Sequence, residues 1–300
     1  MLLSGNCARG TTLFFLGEFV SANEHLEKAL AVFDLRQPLP EELEAWRLSS
    51  LSFLYFGLYQ LGYPDRAWVI SREMLEVAQR SSNPYALAAT SCFAAENNLF
   101  RGDGPGAQKH AEEAMALTEE MGIVSLSALA ISVNGAALIA QGRYEEGVAG
   151  MHRGISAWRA AGGTPRTWEF SLLASGLGRI GRPEKGLQVV EEGFASTAKT
   201  GEQLGSPWLH HVKGELLLVQ NPSDVAEAEQ CFRTAIEIAR RQSARSAELV
   251  ATTSLARLLN GQGRRDEARA MLAQIYGWFT EGFDTRDLKD AKALLDELNA

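Results

Sequence analysis

Residues 135–154 read GAALIAQGRYEEGVAGMHRG. Gly135 sits in an apolar run; Gly142 follows seven residues later, Gly147 five after that, and Gly154 a further seven on. This is the pattern of a helix end, a tight turn and a second helix folded back on the first. Two antiparallel helices approach closely where the facing side chains are small. A glycine at the turn supplies the left-handed conformation that residues with a β-carbon avoid.

The same skeleton recurs along the chain. The small residue of the second helix falls at Ala22, Ala67, Ala107, Gly147, Gly186, Ala228 and Ala268, at steps of 45, 40, 40, 39, 42 and 40 residues. Five residues earlier stands Gly17, Gly62, Gly102, Gly142, Gly181 or Gly263; the sixth copy has Asn221-Pro222-Ser223-Asp224 instead. A series on the first helix comprises Gly10, Tyr55, Ala95, Gly135, Ala174, Gly214 and Ala256, in which only Tyr55 is large. Seven residues beyond the alignment point lie Ala29, Met74, Ala114, Gly154, Gly193, Ala235 and Ile275. One hairpin cannot bury its apolar face alone, whereas stacked hairpins can. The expectation is an all-α fold, a right-handed α-solenoid of about seven hairpins over a single array, 1–300. The repeats fall at about 2–34, 40–80, 84–121, 123–161, 164–200, 203–241 and 243–280. A capping helix is expected at 285–298, with Leu288, Ala291, Leu294, Leu295 and Leu298 on one stripe.

The net charge of −8 argues against a nucleic-acid partner, because phosphate backbones demand a basic face, and against anionic membrane surfaces. No apolar run reaches the length of a membrane span, and the N-terminus lacks the basic and apolar regions of a signal peptide. Three scattered cysteines, Cys7, Cys92 and Cys231, show no metal spacing and suit reduced thiols in a cytoplasmic protein. The first helix is short, and its apolar face (Leu2, Leu3, Leu13, Phe14, Phe15) has no earlier repeat to cover it. That predicts further chain upstream or a partner at this end, the alternative being a frayed terminus. Pro38 and Pro40 in the linker 34–40 explain the long first step, and Ser82-Asn83-Pro84 opens the third repeat.

No catalytic arrangement emerges, so no enzyme activity, cofactor or metal is expected. HExxH, GxSxG, Walker A and CxxC are all absent. Gly176-Leu177-Gly178-Arg179-Ile180-Gly181 matches GxGxxG literally but closes a helix instead of following a strand. Gly102-Asp103-Gly104-Pro105-Gly106 lacks the Lys-Ser/Thr of a phosphate loop and reads as a turn. His210 and His211 diverge by about 100° on a helix and cannot share one metal comfortably. The aromatic helix with Trp46, Phe53, Tyr55, Phe56 and Tyr59 has two readings, inter-repeat core or the lining of a groove. In the register of the repeat the concave face includes Ser52, Phe56, Tyr59, Cys92, Glu96, Leu99, Ser132, Ala136 and Ile139; these are the candidate binding residues.

The Gly-x-Tyr-x-x-Gly element of Gly142-Arg143-Tyr144-Glu145-Glu146-Gly147 resembles the tetratricopeptide repeat in a longer form. The run Ala228-Glu229-Gln230-Cys231-Phe232-Arg233-Thr234-Ala235-Ile236-Glu237-Ile238-Ala239-Arg240-Arg241-Gln242 is more particular, as are Ile275-Tyr276-Gly277-Trp278-Phe279 and Tyr63-Pro64-Asp65-Arg66-Ala67. They resemble the C-terminal repeat region of bacterial multidomain signalling proteins. Those join an adenylate cyclase or DNA-binding domain to an AAA-type, STAND-like ATPase module. The resemblance implies a non-catalytic interaction, scaffold or sensor module, whose partner is a protein or the upstream ATPase or cyclase domains. Two alternatives stay open: a regulatory fragment of such an enzyme, and a small-ligand-sensing repeat domain of a transcription regulator.

Overall fold

The computed structural model describes residues 2–33, 39–80 and 83–300, Leu2 by its backbone only. Linker residues 34–38, which include Pro38, and Ser82 lie outside the described residues. Fifteen helices and no strand make up the described chain. They are α1 (Leu2–Phe15), α2 (Phe19–Leu30), α3 (Glu41–Gln60), α4 (Pro64–Arg80), α5 (Pro84–Arg101), α6 (Gly104–Met121), α7 (Val124–Ala140) and α8 (Tyr144–Ala160). There follow α9 (Thr167–Arg179), α10 (Pro183–Thr200), α11 (Ser206–Gln220), α12 (Val225–Arg241), α13 (Arg245–Gly261), α14 (Arg265–Tyr276) and α15 (Arg286–Asn299). The chain is an α-solenoid of helical hairpins, each an odd helix followed by an even one.

The turns form as the glycines require. Gly17, Gly62, Gly102, Gly142, Gly181 and Gly263 all have positive φ, between 71° and 90°. In five of these turns the next amide donates back to the carbonyl five residues earlier, as in Asp103 N to Asn98 O (2.8 Å) and Arg143 N to Leu138 O (2.9 Å). That bond satisfies carbonyls a helix end would leave unpaired. Asp103 then caps α6, its carboxylate accepting from Gly106 N at 2.9 Å. The glycine-rich stretch around it is therefore a turn and a helix start. The GxGxxG match spans the end of α9 and the left-handed turn at Gly181, with no strand before it.

The chain divides into two compact units: Met1–Tyr59 with Asp65–Pro165, and Gln60–Pro64 with Arg166–Ala300. In the first unit α7 and α8 meet backbone to backbone. A β-carbon placed on Gly147 would lie 2.6 Å from Gly135 O, and one on Gly135 would lie 2.7 Å from Gly147 O. Successive hairpins are joined by α6 against α7 and α5 against α7. The small core there is built of Ala95, Ala107, Ala111, Val133 and Ala137.

In the second unit α9, α11, α13 and α15 pack in sequence on one another, whereas the even helices pack chiefly on odd ones. The odd helices thus form one layer and the even helices a second. Phe232, Leu249, Leu255, Leu272 and Leu288 anchor a core shared by α12 to α15. In α15 the stripe Leu288, Ala291, Leu294, Leu295 and Leu298 is buried, as its spacing predicts. In the same unit Trp278 lies against Tyr63 (ring centroids 5.6 Å) and beneath the Arg245 guanidinium (5.3 Å).

Candidate functional site

A layer of odd helices has one side against the even helices and one side turned away. The turned-away side is the candidate site, and its residues follow from the register. In the second unit the small first-helix residue faces the even partner. A β-carbon on Gly214 would lie 2.7 Å from Phe232 Cε1 of α12. The next residue points about 100° away. That step gives Phe56, Glu96 and Ala136 in the first unit, and Ser175, Glu215 and Arg257 in the second.

In the first unit this side is filled. Ser52, Phe56, Tyr59, Cys92, Glu96, Ser132 and Ala136 are buried, and Leu99 and Ile139 are half-buried. Phe56 stacks on Tyr55 (4.2 Å) and meets Phe14, Phe93 and Phe100 edge-on or tilted at 5.7–6.2 Å. Tyr59 stacks on Phe100 (4.5 Å) and donates its hydroxyl to the Phe100 carbonyl (3.1 Å). Ser52 turns to the second helix: its hydroxyl donates to Leu48 O (2.8 Å) and lies 3.1 Å from Met74 Sδ. Cys92 joins a core with Ala88, Ala114, Leu126 and Ala130. Of the two readings of the aromatic helix, these contacts are those of inter-repeat core. Phe56 is 7% exposed and Tyr59 3%.

The second unit is different, and the candidate residues taken from the sequence end one repeat short of it. Glu215, Trp208, Ser175 and Ser254 are half-buried, and Arg257 and Val219 are exposed. His211, on α11, lies with Nε2 2.9 Å from Ser254 Oγ on α13 and 3.6 Å from the Glu215 carboxylate. Arg257 pairs with Asp290 of α15 at 2.5 Å. Polar side chains therefore bridge successive odd helices here, where the first unit has aromatic packing. The same register carried past Ala136 finds Ser175, Glu215 and Arg257.

His210 goes elsewhere: its ring lies 4.7 Å from Phe194 of α10, and burial and the nearby Lys213 hold its pKa below the usual imidazole value. The two histidines thus contact different helices. Burial pushes the Cys231 thiol above its ordinary value. Among the described residues, no three His, Cys, Asp or Glu side chains gather as a metal site, and no helix is long and apolar enough to cross a membrane.

On the even helices, Arg233 and Arg264 bridge Glu229 and Glu267 at 2.7–3.0 Å, tying α12 to α14. Hydrogen bonds from the two arginines hold the Glu267 carboxyl below its usual range, and they outweigh desolvation at Glu229, which is lowered too.

No family model matches the chain, and no curated protein matches it significantly. Solved structures do. A Rap protein complexed with competence and sporulation factor aligns with TM-score 0.66 and 14% identity, over 99% of this chain and 76% of that one. The Rap conjugation gene regulator of plasmid pLS20, in complex with the Phr* peptide, gives TM-score 0.61 and 14% identity, over 97% and 72%. Aspartyl phosphate phosphatase F from Bacillus subtilis gives TM-score 0.59 and 15% identity, over 91% and 69%. At such identities the likeness speaks to fold: the chain has the tetratricopeptide-like helical-repeat architecture.

Proposed function

We propose that this chain is a non-catalytic binding module that takes a peptide or an extended protein segment along the open side of its odd helices. The observation that carries the reading is the polar, aromatic-flanked row on α9, α11 and α13: Ser175, Trp208, Glu215, Ser254 and Arg257 within solvent reach. A layer of helices with an uncovered polar and aromatic side is suited to an elongated ligand. One of the similar structures is a complex with the Phr* peptide and another a complex with competence and sporulation factor, and the first supports a peptide as the ligand class. The acidic balance of the chain disfavours nucleic acid.

The finer reading rests on the resemblance of Ala228–Gln242 to the repeat region of multidomain signalling proteins. In it, residues 1–300 act as one array in the cytoplasm. The array reports on its ligand to an ATPase or cyclase, in the same polypeptide or docked to it.

The test is selection of binders from a random peptide display library on the purified chain, followed by titration of a synthetic selected peptide. Trp208→Ala is expected to weaken that peptide at least about tenfold, since truncating an aromatic anchor typically removes about 2 kcal/mol or more. Glu215→Lys is expected to do the same for a peptide with a basic residue. Unchanged affinity in both folded variants would remove this face as the binding site.

A further inference from the structure

The loop between α10 and α11, residues 201–205, makes contacts that the repeat pattern does not call for. Glu202 Oε1 accepts two hydrogen bonds from Thr167, the first residue of α9: one from its backbone amide at 3.1 Å and one from its hydroxyl at 2.6 Å. The Thr167 hydroxyl oxygen in turn accepts from Gly205 N at 2.8 Å. Gly205 is the residue that opens α11. It must be glycine for the approach to occur, because a β-carbon there would lie 2.4 Å from Thr167 Oγ1 and 2.6 Å from Trp168 N. The loop is held from its other side as well: Gln242, closing α12, donates through Nε2 to Gln203 O at 2.9 Å.

The first turn of a helix carries amides with no partner inside the helix, and a carboxylate there is favoured by both hydrogen bonding and the helix dipole. In α9 those amides are served by two acids. Glu169, three residues into the helix, takes the Arg166 amide at 2.9 Å. Glu202, 35 residues away in sequence, takes the next one.

We infer that Glu202 is a clasp: its carboxylate caps α9 from the α10–α11 loop, locks the starts of α9 and α11 together, and makes that junction sensitive to protons. The junction lies at the end of the odd-helix layer that carries Trp168 and Trp208, so its opening loosens the edge of that layer.

The direction of the pH effect follows from the surroundings. Burial raises the Glu202 pKa, and the Thr167 hydrogen bonds and the charge of Arg166 offset only part of that rise. Glu169 adds to it by repulsion. Arg166 and Glu169, at the start of α9, are the charged groups that bear on the carboxyl; Gln203 in the loop and Gln242 at the end of α12 bring neutral amides. A carboxyl bound more tightly to its proton in the closed state than in the open one favours closure at low pH. That advantage is complete below the ordinary glutamate pKa and is lost as pH rises through the raised value. The clasp therefore tightens on acidification and loosens toward neutral pH.

Hydrogen exchange resolved to residues 167–170 and 205 tests this, at several pH values from about 4 to 8, with rates corrected for intrinsic chemistry. In the native chain, protection of these amides is expected to fall as pH rises. Glu202→Gln keeps an acceptor for Thr167 without the titrating charge, and its protection is expected to stay level with pH. Glu202→Ala is expected to lose at least about tenfold in protection at Thr167 and Gly205 at the acidic end of this range, where the native clasp is tightest, as for a hydrogen bond whose loss leaves its donors without a partner. Protection within about twofold of native in Glu202→Ala would overturn the capping role. The same pH profile in Glu202→Gln as in the native chain would overturn the proton sensitivity.

Discussion

Gly154→Ala is expected to destabilise the first unit by about 3 kcal/mol or more, and Gly147→Ala by a similar amount. The expectation rests on what the new methyl group meets. A β-carbon on Gly154 would lie 2.5 Å from Ser132 N and 2.7 Å from Ala128 O. One on Gly147 would lie 2.6 Å from Gly135 O and 2.8 Å from Ile139 N. These obstacles are backbone atoms of α7, which no rotamer change can move aside. The two helices must separate, and the close packing along their full length is lost with the contact. For a unit of this size that corresponds to a fall of roughly 6–12 °C in the unfolding midpoint. Gly5→Ala is the control. It lies in α1 with nothing within 4 Å of the added carbon, so alanine's better helix propensity is expected to raise stability by up to about 1 kcal/mol. Thermal denaturation of the three variants decides the matter. Equal midpoints for Gly154→Ala and Gly5→Ala would mean that the α7–α8 approach is not as close as described.

Phe56→Ala is the second large effect, expected at about 3–5 kcal/mol. The ring is 7% exposed, stacked on Tyr55 and surrounded by Phe14, Phe93 and Phe100. Its removal leaves a cavity that these neighbours, held on α1, α3 and α5, cannot readily close. Peptide affinity, measured where the variant remains folded, is expected to be unchanged, because the ring is not within solvent reach. This separates the two readings of the aromatic helix. A variant that loses less than about 1 kcal/mol of stability yet loses peptide binding would make Phe56 part of a groove.

The hairpins were legible in the sequence because they rest on local steric rules. A left-handed turn wants glycine, and two helices in contact want small residues, so Gly17 through Gly263 and the series Ala22 to Ala268 announce themselves at fixed spacing. The α15 stripe was legible for the same reason, since periodicity reports burial within one helix. The candidate site was legible only as a register. Spacing says which way Phe56, Glu96 and Ala136 point, and it does not say what arrives from a neighbouring helix to cover them. Phe93 and Phe100, some forty residues on, close over Phe56 and Tyr59. In the second unit the equivalent positions carry Ser175 and Glu215, both half-buried, and Arg257, exposed, whereas Glu96 at the same position of the first unit is buried, so residue type alone does not tell which are covered. The Glu202 clasp lay beyond sequence reading altogether. Its partner is 35 residues away, and a glutamate after Gly201 looks like any loop acid until the fold brings Thr167 beside it.

The claim that the open side of the odd helices is the binding surface is tested most directly by hydrogen exchange of the chain with and without a saturating selected peptide. Protection is expected to rise in α9, α11 and α13, with the increase centred on the turns that carry Ser175, Glu215 and Arg257, and to change little in α10, α12 and α14. Protection gained on the even helices alone, or only in the turns between hairpins, would place the peptide on another surface and contradict the assignment.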